Sequence, residues 1–226
     1  MQLNQQEIQG LDKEFRRAFI NSLAGFRQAV LVGTQSAAGK TNLAIFNSLI
    51  HLGANPALFG LINRPDSVQR DTLQNIESQG VYTLNYVAGA DYQKAHQTSA
   101  RYPQGVSEFE QVGFEEQYRP SLAAPFEPQI TDSLEAPLKT QLTPPFPAPF
   151  VAGAMVQIGM KFEERVDLKI NGTVLLIGSI QSVYIDDALV AADGFVNLSE
   201  AGVLVSQGLD AYFTTSPLGR FPYAKP

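Results

Sequence analysis

Only Asn171-Gly172 separates the runs "ERVDLKI" (164–170) and "TVLLIGSIQSVYID" (173–186). Asn and Gly tolerate the positive-φ positions of a two-residue turn, so the flanking runs are bound to pair antiparallel. In the first run Val166, Leu168 and Ile170 alternate with charged residues, which predicts an inward apolar face. Upstream, "RQAVLVGTQ" (27–35), "NLAIFNSLI" (42–50), "ALFGLIN" (57–63) and "VYTLNYV" (81–87) are similarly rich in β-branched and aromatic residues. Asn55-Pro56 breaks the second from the third. "FVAGAMVQIGMKF" (150–162) precedes the hairpin. Strands joined by tight turns exclude the crossover helices of a parallel sheet. The expected fold class is mainly β with short helices: a small closed or nearly closed barrel in a single domain, 1–226.

The helices are few. Over 11–26, Leu11, Phe15, Phe19 and Leu23 recur at i, i+4 and form one apolar stripe, suited either to this protein's own core or to a second subunit. "DTLQNIESQG" (71–80) pairs Asp71 with Gln74 in the form of a capping box and ends on Gly80. Residues 90–100 and "SEFEQVG" (107–113) read as shorter helices, the second with Ser107 and Glu110 as a capping-box pair. Residues 119–149 hold eight of the 14 prolines, which predicts a long irregular excursion over the surface.

Composition removes several function classes. The chain has no Cys and two His, so thiolate catalysis and Cys-based metal sites are excluded and a His-rich metal site is disfavoured. A net charge of −6 argues against nucleic acid and anionic membrane as partners. No apolar run reaches membrane-spanning length and the polar N-terminus resembles neither a secretory signal nor a transit peptide, so a cytoplasmic location is expected.

One motif points elsewhere. "VLVGTQSAAGKT" (30–41) resembles a phosphate-binding loop, and "SVYIDD" (182–187) resembles an acidic strand end of such a site. A P-loop needs four residues between its first Gly and Gly-Lys, whereas Gly33 and Gly39 enclose five. The alternating strand–helix units of a nucleotide-binding sheet are also missing. "SAAGK" therefore reads as a hairpin loop with Gly at its special dihedral, and a P-loop NTPase is the weaker alternative.

The order of these pieces resembles the flavin reductase-like family. The resemblance rests on "RQAVLVGTQSAAGKTNLAIFNSLIHLGANPALFGLINR", "RDTLQNIESQGVYTLNYV", "AHQTSARYPQGVSEFEQVGF" and "VLLIGSIQSVYIDD". It implies an FMN-binding split β-barrel and a homodimer with flavin near the subunit interface. It further implies flavin reduction by NADH or NADPH, or flavoredoxin-like electron transfer, and an exchange partner that is free flavin or an electron-acceptor protein. Carried over position by position, Asn42, Ala44, Phe46, Asn47 and Ser48 would line flavin from the second strand. Asn63 and Arg64 would lie at the end of the third. Ser67, Arg70, Asp71 and Thr72 would surround the phosphate and ribityl chain. A flavin-binding module without efficient NAD(P)H turnover would use the same residues.

Each assignment has a plainer reading beside it. Arg70 next to a helix start suits a phosphate, but Asp71 could simply cap that helix and leave Arg70 solvated. Asn47 and Ser48, polar within an apolar run, need partners that a neighbouring strand could equally provide. His96 either tunes the flavin or sits on a surface helix, while Ser99 and Arg101 are weaker contacts. Arg220 and Tyr223 could reach a partner's flavin. His51 has no functional case.

Overall fold

A computed structural model describes residues 1–65, 71–103, 105–121 and 145–225. Helices α1 (Gln5–Gly10) and α2 (Lys13–Leu23) precede β1 (Phe26–Gln28) and β2 (Val30–Gln35). β3 (Thr41–Phe46), β4 (Leu49–Ala54) and β5 (Ala57–Asn63) follow, then α3 (Asp71–Gln79) and β6 (Val81–Tyr86). Helices α4 (Tyr92–Gln97) and α5 (Glu108–Val112) lead to β7 (Glu116–Gln117), β8 (Phe150–Val151), β9 (Val156–Leu168) and β10 (Thr173–Ile185). Two short strands, β11 (Val205–Gln207) and β12 (Ala211–Phe213), end the chain.

Seven strands form one sheet in the order β3-β2-β6-β9-β10-β5-β4, every neighbouring pair antiparallel. Its two edges, β3 and β4, are consecutive in the chain, joined through Asn47 and Ser48 but not paired with each other. The sheet thus curls round to an open seam. The expected single run at 42–50 is divided at that corner, because its two polar residues bind outside the ladder. Asn47 Nδ2 donates to the Gly208 carbonyl at 2.8 Å, and Ser48 Oγ donates to the Ile62 carbonyl at 2.7 Å.

β2 explains its own unbroken apolar sequence. Val30 and Val32 belong to the cluster inside the sheet with Leu84, Met160 and Leu176, and Leu73 and Ile76 of α3 pack there too. Ala29 just before β2 and Leu31 belong to an outer cluster with Phe109 of α5 and Leu204. A strand buried on both faces needs no polar alternation. "SAAGK" is the hairpin loop between β2 and β3, with Gly39 at φ 78° and its N–H on the Ser36 carbonyl at 2.9 Å. No helix starts at Lys40, so the phosphate-loop alternative does not hold.

Three expectations need correction. The runs 150–162 and 164–170 belong largely to one strand, β9, and the ladder is shifted opposite Glu163, where β9 has one residue more than β10. Val166 is half-buried and Leu168 and Ile170 are exposed, because β6 pairs with β9 only as far as Lys161 and no layer covers the hairpin tip. Ser107 does not cap α5; its hydroxyl lies 2.8 Å from Thr41 Oγ1 instead.

Among the Pro-rich residues, 122–144 lie outside the described residues. The flanks are not a surface excursion: Phe146 and Ala148 are buried and Pro120 bridges Pro145. Thr83 Oγ1 donates to the Pro149 carbonyl at 2.6 Å, tying the returning chain to β6. The helix expected at 11–26 is present as α2, but it buries none of its residues, and Phe15 and Leu23 are exposed, so the stripe does not serve this chain's own core.

Candidate functional site

Along β3, alternate residues face the same way, so Asn42, Ala44 and Phe46 share one side of the seam. Asn47 and Ser48 form the corner, Asn63 ends β5, Arg64 follows it, and Asp71 and Thr72 begin α3. All nine line one cleft of about 600 Å³. Ser67 and Arg70 lie outside the described residues. The separate pieces of sequence converge because the barrel's edge strands and the start of α3 meet at its open side.

The cleft has an ordered polar floor. Asn42 Nδ2 donates to Thr72 Oγ1 at 2.9 Å and contacts Thr34 Oγ1 at 3.3 Å, while Asn75 Nδ2 donates to Thr34 Oγ1 at 3.1 Å. These buried bonds lock β3 to α3 and occupy much of the donor capacity of Asn42. Asn63 differs: it is 3% exposed and its amide Nδ2 has no partner among the described residues. An unsatisfied buried donor costs about 1–3 kcal/mol, and this one belongs to a residue lining the cleft. Glu108 of α5 accepts the Leu43 N–H at 3.0 Å, and burial pushes its carboxyl above the ordinary range despite that bond.

The opposite wall comes from β1, β11, β12 and the loop after α4: Arg27, Ser206, Tyr212, Ser99 and Arg101. Ser99 and Arg101 were anticipated; Arg27, Ser206, Tyr212 and Glu108 were not singled out. The short C-terminal strands carry too weak a pattern to reveal that they return to the seam. His96 does not line the cleft; its Nδ1 lies 2.9 Å from the hydroxyl of Tyr212, whose ring does. Arg220 pairs with Asp193 and lies over Phe195, Tyr223 is exposed, and both are absent from the cleft. His51 stands edge-on to Phe59 on an exposed strand. No cluster of His, Cys, Asp or Glu among the described residues could hold a metal ion.

The sequence profile described as flavin reductase like domain matches residues 24–199. The chain belongs to the flavin reductase-like family. It is a flavin-binding oxidoreductase with the family's split-barrel fold. A protein described as a flavin reductase with split barrel domain, from Shewanella frigidimarina NCIMB 400, is 42% identical. The match covers 99% of this chain and 100% of that one, with a TM-score of 0.84. Two remoter structures share the fold. Pseudomonas fluorescens 2-nitrobenzoate 2-nitroreductase NbaA is 19% identical at a TM-score of 0.73, covering 99% of this chain and 96% of that one. Nitrilotriacetate monooxygenase component B from Bacillus cereus is 16% identical at 0.74, covering 98% of each chain. No curated protein matches the sequence significantly. The matched family region stops before Ser206 and Tyr212, so only part of one wall of this flavin reductase-like cleft lies outside it.

Proposed function

We propose that the cleft binds FMN and that the protein is an NAD(P)H-dependent flavin oxidoreductase, acting as a cytoplasmic homodimer. The observation that carries the proposal is Asn63: a buried amide donor with no partner among the described residues, on a residue lining a cleft of about 600 Å³ at the barrel seam. That volume is ordinary for a site enclosing a cofactor-sized ligand. Bound flavin would supply the hydride chemistry, which no constellation of side chains among the described residues provides. Asn63 Nδ2 would donate to a carbonyl on the polar edge of the ring system. Ala44, with only a methyl group, leaves room for a planar ligand against β3. Asp71 and Thr72 bring the first turn of α3 to the cleft, and a helix N-terminus suits a phosphate. The C-terminal wall, with the half-buried Tyr212, screens the site from water.

The homodimer reading is supported by the uncovered apolar side chains of Phe15 and Leu23 on α2 and of Phe26 and Phe213 beside it in the small sheet. Apolar residues concentrated on one face usually mark an interface.

The test is the visible spectrum of the purified protein before and after FMN is added, followed by anaerobic addition of NADH or NADPH. Uptake of flavin with a perturbed spectrum, then bleaching by one nicotinamide, is the expected outcome. Uptake without bleaching would instead identify a flavin-binding module lacking turnover, and no uptake at all would sink the FMN assignment.

A further inference from the structure

The three-stranded sheet beside the seam sets one row of residues directly across its strands. Arg27 on β1 is opposite Ser206 on β11, which is opposite Tyr212 on β12. Directly opposed residues of antiparallel strands point to the same face. Here that face is the cleft, which all three line.

Two members of the row hold polar atoms that nothing among the described residues satisfies. Ser206 is 3% exposed and its hydroxyl has no partner among the described residues. The Nε of Arg27 is likewise buried and unpartnered. One terminal nitrogen of the same guanidinium reaches the Asn21 carbonyl at 3.4 Å, a long contact for a charged donor. Binding the C-terminal end of α2 would be a sufficient role for Arg27 if its fork were used up there. It is not: the Nε–H has no partner among the described residues, and neither has the hydroxyl of Ser206, the residue directly across the strand pair. The pairing of a guanidinium edge with an adjacent hydroxyl suits the two oxygens of a carboxylate, and the ring of Tyr212 completes an apolar side for what carries it. Arg64 and Arg101 line the cleft as well, against Asp71 and Glu108, so its charge is mixed, and what singles out this row is its pair of buried polar atoms without partners among the described residues.

We infer that Arg27 and Ser206 form an anion subsite for the second substrate, an organic carboxylate with a flat or apolar body, seated beside the flavin. This rests on the flavin reading above and adds the substrate class. The row includes residues beyond 199, where the matched family region ends, so the subsite is built partly from this chain's own C-terminal strands.

The experiment uses the flavin-loaded protein and titrates it with benzoate and with neutral benzamide, following the flavin absorption band. Benzoate is expected to give a saturable shift, with benzamide at least tenfold weaker. Arg27→Lys keeps the charge but loses the fork, and Ser206→Ala removes one hydroxyl. Each should weaken benzoate at least fivefold more than it weakens FMN, measured separately by fluorescence quenching. Equal affinities for benzoate and benzamide would overturn the subsite. So would variants that lose FMN and benzoate in parallel, since Arg27 would then serve the flavin. If Arg27→Lys impairs binding of oxidised nicotinamide dinucleotide and leaves benzoate unchanged, the carboxylate assignment is overturned. If the wild type takes up no FMN, the flavin reading has failed; calorimetric titration of the flavin-free protein with benzoate then decides the subsite, which is lost if no heat of binding is seen. Circular dichroism of both variants checks that they are folded.

Discussion

Gly33 stands opposite Leu43 on one side and Thr83 on the other, in the middle of the β2 ladder. A Cβ there would lie against the Pro149 carbonyl oxygen and 2.6 Å from Thr83 Oγ1. The returning chain after the Pro-rich segment is therefore laid directly over a residue with no side chain. Gly33→Ala should lower stability by about 1–3 kcal/mol, the usual cost of overpacking a tight core, by breaking the Thr83–Pro149 bond or displacing the strand. Urea denaturation measures it, and an unchanged midpoint would contradict this packing. The same glycine had looked like the first of a phosphate loop, and the five-residue spacing to Gly39 was enough to separate the two readings. Other residues were legible only in part. Asn42, Ala44 and Phe46 follow from strand alternation once the strand is placed. That Asn63 is the amide left without a partner depends on who surrounds it, which a single sequence does not express. Arg27 becomes a neighbour of Ser206 and Tyr212 only through the pairing of β1 with β11, strands from opposite ends of the chain.

At the scale of elements, hydrophobic period identified what each segment is more reliably than what it touches. The stripe on α2 has helical spacing, yet none of its residues is buried in the isolated chain. The alternation in β9 has strand spacing, yet its outer half passes beyond its neighbour β6 and stays uncovered. In both cases the pattern implies a covering surface and leaves open whose surface it is. For α2 the subunit reading makes a definite prediction. Leu23→Glu should shift the protein from dimer toward monomer in sedimentation velocity. Its circular dichroism should be unchanged, because Leu23 is 66% exposed and packs in no core cluster. A variant that remains dimeric would show that α2 lies outside the interface. A variant that unfolds would show that α2 supports the subunit itself. The corner at Asn47-Ser48 was the reverse case: polar residues inside an apolar run signalled an interruption, and their bonds to Gly208 and Ile62 show why the strand ends there.

Taken as a whole, the molecule is a sheet that nearly closes and places its candidate site along the line where it does not. Antiparallel order was legible from Asn171-Gly172 and the other tight turns. The position of the opening was not, because it depends on which two strands remain unpaired. This architecture couples ligand to fold. β3, β5, α3 and the C-terminal strands meet at the cleft but are not hydrogen-bonded into one ladder across it, so a ligand that bridges them stabilises the assembly of all four. FMN at about a hundred times its Kd should add roughly 2.7 kcal/mol to the stability of the folded state. For a chain of this size that corresponds to a rise in Tm of roughly 5–10 °C. The rise is expected to grow logarithmically with FMN concentration. Asn63→Ala should reduce it at equal FMN without lowering the Tm of the flavin-free protein, since Asn63 Nδ2 has no partner among the described residues for the substitution to break and the unmet donor is removed. Differential scanning calorimetry of both proteins with and without FMN decides the point. If Asn63→Ala lowers the flavin-free Tm by as much as it lowers the flavin-bound one, Asn63 is a structural residue and the seam does not owe its ligand affinity to that donor.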